Sequence, residues 1–232
     1  PCAVLDTGRQ LGHSFIPVMD SEQLLDILHT DPDFVVVNKL SGMLAVPGRG
    51  PEKIDSVANR VRRMFPGCIE QPAVHRLDMD TSGLMVVALS AEAHRNLSRQ
   101  FHERETQKKY IALLDGVLGQ ESGVIELPFR LDVDNRPIQI YDEIHGKMGI
   151  THWQKLAIEG QFTRIEFTPI TGRTHQLRLH AYHEKGLGIP IVGDPFYGRG
   201  TGPGQMKLHA CELAFTHPMT GEQVAFHSAP QF

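Results

Sequence analysis

The sequence predicts an α+β domain built on a mixed, largely antiparallel sheet. Three observations carry this. Short β-branched or aromatic runs recur along most of the chain, few segments keep helical spacing, and the connectors are rich in Gly and Pro. At 232 residues the chain suits one compact domain, residues 21–232, behind a loosely held arm, residues 1–20, that mixes Gly, Pro and acids without a sustained period.

Taken in order, "SEQLLDILHTDPD" (21–33) offers Ser21 as a cap and Leu24, Leu25, Ile27 and Leu28 as an apolar face, a short helix that Pro32 stops. "FVVVNK" (34–39) is a strand followed by the turn "LSG". "DSVANRVRRMF" (55–65) spaces Val57, Val61 and Met64 as a helix, ended by Pro66-Gly67. "LMVVALS" (84–90) is a continuous apolar run, a central strand covered on both faces. Ser90 caps the next helix, where Ala93, Leu97 and Phe101 repeat every four residues. The remainder is strand-like: "KYIALLDGVL", "GVIELPF", "RPIQIYDE", "ITHWQKLAIEG", "FTRIEFTPI", "IPIVGD", "KLHACELAF" and "EQVAFH". "THQLRLHAYHEKG" (174–186) is the exception, a helix closed by Gly186.

Composition narrows the function classes. A hydrophobic fraction of 41% with 22% charge is that of a globular protein, and no apolar run approaches the ~18 residues of a membrane span. No signal peptide is read in residues 1–19. Cys2, Cys68 and Cys211 are odd in number, widely spaced and in no CxxC pair, so a reducing, cytoplasmic setting is the default. The net charge of -4 is uneven: residues 1–33 hold one Arg against six acids, leaving the rest slightly positive. Residues 49–63 and 95–109 each carry five cations against two acids, readable as solvated helix faces or as contacts to a polyanion.

Several chemistries are poorly supported. "PGRGPEK" lacks P-loop spacing, and "GRGTGPGQ" (198–205) reads as a flexible surface loop. His175, His180 and His183 cluster in sequence, but His175 lies off any helical face shared by the other two, and no carboxylate completes a metal site. There is no GxSxG elbow or reactive-cysteine setting. What is left is "VHRLDMDTSG" (74–83), which places Asp78 two residues after Arg76 and just before the central apolar strand. On its own this segment leaves two readings open, a carboxylate capping a turn or a carboxylate doing chemistry.

"HRLDMDTSG" resembles the central signature of the RluA-type RNA pseudouridine synthases. "VVNKLSGMLAVPG" (36–48), "RQFHERETQKKYIALLDG" (99–116), "TPITGRTHQLRLHA" (168–181) and "IVGDPFYG" (191–198) resemble further blocks of that family in the same order, so the similarity covers about residues 33–232. The resemblance implies the pseudouridine synthase catalytic fold and isomerisation of uridine to pseudouridine in RNA, without metal or organic cofactor. It implies Asp78 as catalytic carboxylate, Tyr110 as the aromatic residue under the uracil, and Arg178 as the basic partner of Asp78. Arg76, with His75 beside it, falls where the family fills the space left by a flipped nucleotide. Lys39, Arg49, Arg62, Arg104, Lys108, Lys109 and Arg173 become candidate RNA-backbone contacts. No S4 RNA-binding domain is recognised, so the expected partner is a small tRNA or 23S rRNA stem-loop read by the catalytic domain of a monomer. Leu40 departs from the family's usual Pro, and Asp80 falls at a variable position, where an inward-pointing second acid would disturb Asp78.

Overall fold

The structure, a computed structural model, describes residues 25–232; the N-terminal arm, Cys2 and the Ser21 cap lie outside the described residues. The elements in chain order are β1 (Asp26–Thr30), β2 (Phe34–Lys39), α1 (Val57–Met64), β3 (Ser82–Ala88), α2 (Ala91–Glu103) and β4 (Gln107–Leu114), then β5 (Ser122–Leu131), β6 (Gln139–Tyr141), β7 (Lys147–Glu159), β8 (Phe162–Pro169), α3 (Gln176–Tyr182), β9 (Leu208–Thr216) and β10 (Gln223–His227). The strands form one sheet in the order β1-β2-β3-β9-β4-β8-β7-β5-β6, with β10 also paired to β9. Every pairing is antiparallel except β3 with β9. The α+β reading with a mixed sheet therefore holds.

Three local expectations need correction. Residues 26–30 are strand, not helix: the segment pairs with β2 from Asp26↔Asn38 to Thr30↔Val35, with a bulge between Ile27 and His29. A ladder to a buried neighbour outweighs a weak helical pattern that would have had only solvent on most of its faces. "IPIVGD" is a turn touching the sheet through one bridge, Leu114↔Ile191. The helix expected over 174–186 is confined to Gln176–Tyr182, because His175 before it is left-handed (φ 55°) and His183 after it is extended.

The central strand is as expected. β3 is buried almost throughout, and β2 and β3 alternate between two cores. Val35, Val37, Met85 and Val87 pack with Val57 and Val61 of α1. Phe34, Val36, Leu84, Val86 and Ala88 pack with Ala93 and Leu97 of α2. Both helices start where the serines place them: Ser56 Oγ accepts from Asn59 N at 3.3 Å, and Ser90 Oγ from Ala93 N at 3.2 Å. A third core joins β4, β5, β7 and β8 to α3 through Leu114, Leu127, Trp153, Ile165, Phe167 and Leu179.

Two features fix the turn between Leu77 and β3. The first is the short parallel junction, Ser82↔His209 and Gly83↔Ala210, that seats β9 between β3 and β4. Gly83 has φ 110°, and a Cβ there would lie 2.3 Å from Ala210 O, so only glycine lets the two backbones meet. The second is Lys39, which is fully buried. Its Nζ donates to Leu40 O (2.9 Å), Met43 O (2.8 Å) and Met79 O (2.9 Å), spending all three hydrogens on carbonyls. Burial pulls this ammonium down to about 7, against Asp78 and Asp80, which pull it up.

Gly83→Ala should lower unfolding free energy by at least about 2 kcal/mol, from clash and a strained φ. Lys39→Met should cost about 2–4 kcal/mol, since three buried carbonyls lose their donor. Urea unfolding midpoints measure both, and a variant that unfolds at the wild-type midpoint would show that its residue does not hold the turn.

Candidate active site

A cavity of about 550 Å³ opens beside the turn before β3, within the range usual for sites that take a small organic group. Its wall combines five parts of the chain: residues 74–78 with Thr81, the C-terminal end of α2, β4 through Lys108 and Tyr110, residues 169–178 running into α3, and Leu208 at the start of β9. Arg76, Arg104, Lys108, Arg173 and Arg178 contribute positive charge to this lining, and Asp78 is its single carboxylate. Such a surface suits a polyanion.

Asp78 sits in a tight turn, with Thr81 N donating to Asp78 O at 3.1 Å. The following peptide is pinned through Met79 O, which accepts from Gly42 N (2.9 Å) as well as from Lys39. Asp80 does not face Asp78 as a second active acid. Its Oδ1 accepts from Gly204 N at 3.1 Å and its main-chain oxygen accepts from Ser41 Oγ at 2.5 Å. The glycine-rich loop, expected to be flexible, is thereby tied to the Asp78 turn.

Arg178 lies within α3, with its side chain only 2% exposed. Its fork is taken by the fully buried Asp194: Nε to Oδ2 at 2.8 Å and Nη2 to Oδ1 at 2.6 Å. The remaining nitrogen, Nη1, points at Asp78, 3.7 Å from Oδ2. The guanidinium also lies over the rings of Phe196 (5.0 Å) and Tyr197 (5.4 Å). Main-chain N–H groups of Phe196 and Tyr197 donate to Asp194 Oδ1 at 2.8 and 3.1 Å, so the buried acid is fully partnered.

Tyr110 projects from β4 into the same cavity. Burial first, and the charge of Asp78 second, push its phenol well above the ordinary tyrosine value, so it is present as the neutral hydroxyl. Strand alternation puts Lys108 on the cavity side with Tyr110. Arg76 stands exposed at the rim, where Nη2 donates to Thr174 Oγ1 at 3.2 Å. Arg104 follows α2 in a left-handed conformation (φ 62°), and Arg173 donates from Nε to Met148 O at 2.8 Å.

Asp78, Tyr110, Arg178, Arg76, Arg104, Lys108 and Arg173 are thus brought together. Other cations singled out in the sequence are not. Lys39 is spent inside the fold and cannot reach a ligand. Lys109 turns to the other side of β4 and pairs with Glu166 at 3.3 Å. Arg49 and Arg62 are exposed but lie outside the cavity wall. His75 borders the cavity, yet Nε2 accepts from Val86 N at 3.0 Å and its ring stacks on Phe101 at 4.2 Å. Burial lowers it to about 3, so it is a neutral ring holding the segment before Asp78 to β3. Sequence reasoning missed Asp194 and Phe196 and weighed His175 only as a metal ligand; an acid inside the otherwise apolar turn "IVGDPFYG" was the available signal for the first.

Comparison with known proteins identifies the family. The family described as RNA pseudouridylate synthase matches residues 33–183. The dual-specificity RNA pseudouridine synthase RluA of Haemophilus influenzae is 46% identical over 215 residues, covering 91% of this chain and 95% of that protein. Its namesake in Pasteurella multocida is 46% identical over 227 residues (94% and 98%), and that of Escherichia coli K12 is 43% identical over 216 (91% and 95%). Among solved structures, human RNA pseudouridylate synthase domain containing 1 superposes with a TM-score of 0.73 at 30% identity, covering 92% of this chain and 86% of that one. With the sheet, the cavity and these likenesses together, the chain belongs to the RluA-type RNA pseudouridine synthases, isomerases that convert uridine in RNA to pseudouridine.

Proposed function

We propose that this chain isomerises a uridine in a tRNA or 23S rRNA stem-loop, with Asp78 acting on the ribose, Tyr110 under the base and Arg178 partnering Asp78. The observation that carries this is the cavity's single carboxylate, set 3.7 Å from a buried arginine inside an otherwise cationic wall. The dual-specificity name borne by the bacterial relatives supports a choice of more than one RNA as substrate.

The uridine first leaves the RNA stack, at a cost of a few kcal/mol. Arg76, planar, cationic and steadied by Thr174, stands at the rim to fill the vacated place. Breaking the C1′–N1 bond builds positive charge on the ribose. Asp78 meets it either by bonding to C1′ or by removing the 2′ proton to give a glycal; both need an ionised carboxylate, and Arg178 Nη1 stands 3.7 Å from its Oδ2. The freed uracil must turn so that C5 faces C1′. Stacking on Tyr110 tolerates in-plane rotation, and its neutral hydroxyl can relay the C5 proton only by passing its own proton to an acceptor such as Asp78.

Tritium release from [5-³H]uridine-labelled tRNA and rRNA, taken from cells lacking the protein, tests the assignment. Asp78→Asn should lower it by at least about 10³-fold and Tyr110→Phe by about 10²-fold with RNA binding retained. Release that survives Asp78→Asn removes Asp78 from the mechanism, and free uracil in place of released tritium would instead indicate an N-glycosidic hydrolase. RNA affinity should fall steeply with salt, and replacing Arg104 and Lys108 by Ala should each flatten the log–log slope by about 1. Unchanged slopes would place the backbone contacts elsewhere.

A further inference from the structure

We propose that His175 is a further substrate-facing residue, donating its Nε2–H to an acceptor oxygen of the target nucleotide, and that Tyr197 sets the tautomer that makes this possible. The inference rests on the reading of the Asp78 cavity as the active site.

His175 lines that cavity and is only 6% exposed. One ring nitrogen is committed: Nδ1 lies 3.0 Å from Tyr197 Oη. The same phenol oxygen accepts the main-chain N–H of Gln139 at 2.7 Å. Among the described residues Nδ1 is the acceptor within reach of the Tyr197 hydroxyl, and the assignment follows from that: the hydroxyl donates to Nδ1, and the neutral imidazole bears its hydrogen on Nε2. Burial holds Tyr197 up at about 12, which keeps its hydrogen in place, and burial lowers His175, which keeps the ring neutral. Nε2 has no hydrogen-bond partner among the described residues, and it is not among the sealed polar atoms. A donor on the cavity wall is therefore left for whatever enters.

The ring is also held still. It stacks on Phe196 (5.6 Å, 20°) and meets Tyr197 edge-on (5.6 Å, 89°), the two rings that lie under Arg178. His175 and Arg178 therefore share one aromatic floor. The backbone adds an independent sign. Among the described residues the non-glycine positions with positive φ are Arg104 and His175, and both line this cavity. Positive φ is uncommon outside glycine, and in this fold it falls at two positions of the same cavity wall.

Two substitutions separate a donor from a structural prop. In His175→Asn the amide reaches the Nδ1 position, keeping the Tyr197 link and suiting the left-handed backbone, but nothing occupies Nε2. In His175→Gln the amide nitrogen reaches the Nε2 position and the Tyr197 link is lost. The proposal expects the Asn protein to bind RNA and melt like wild type while its single-turnover rate falls ~10- to 100-fold, and the Gln protein to recover to within about 5-fold of wild type. Wild-type turnover in the Asn protein, or equal slowness in both, overturns it. Imidazole ¹⁵N shifts of the unsubstituted protein give an answer that needs no variant to fold: an Nδ1–H tautomer for His175 overturns the proposal. Activity surviving in Asp78→Asn defeats the reading of the cavity itself, whereas an inactive Asp78→Asn with an insensitive His175 defeats only this inference.

Discussion

The buried pair between Arg178 and Asp194 is the constraint on which the site depends. A guanidinium only 2% exposed would cost several kcal/mol if left alone, and Asp194, fully enclosed, would cost as much again. Each is tolerable because the other is there, and because Asp194 also collects two main-chain donors. The pairing is bidentate, so it fixes the plane of the guanidinium as well as its position. The nitrogen left over can then face Asp78 without a search, and the positive charge meets the carboxylate already oriented.

A second group of contacts holds the other half of the pair. The Asp78 turn is suspended between Lys39, Gly42, Ser41 and Gly204, residues drawn from both ends of the described chain. Asp80 belongs to this support: its carboxylate receives a loop amide. The segment "HRLDMDTSG" thus contains two carboxylates with separate tasks, one presented to the cavity and one turned into the scaffold.

How much of this was legible follows from the range of the forces involved. The cores of α1, α2 and β3 were readable because the Ser90 cap and apolar spacing are local signals. β1 was not, since its partner strand decides its conformation. Asp78, Tyr110 and Arg178 are recognisable through motif resemblance, not through spacing, because they come from three distant parts of the chain. Among the cations, Lys108 and Lys109 differ only in strand parity, which the sequence could have distinguished; Lys39 differs by depth, which it could not. His175 suggests no more than a weak metal ligand in sequence, for nothing in "GRTHQ" announces a left-handed backbone.

The seating of β9 between β3 and β4 has a consequence for how the enzyme comes into being. Asp78 and Tyr110 leave the ribosome well before residues 208–216, yet the sheet that carries them cannot close until that late strand has been inserted. Arg178 and Asp194 also precede it. A growing chain therefore holds every proposed catalytic group before it holds any finished site, and RNA meets a working cavity only after residues 208–216 have been made and inserted.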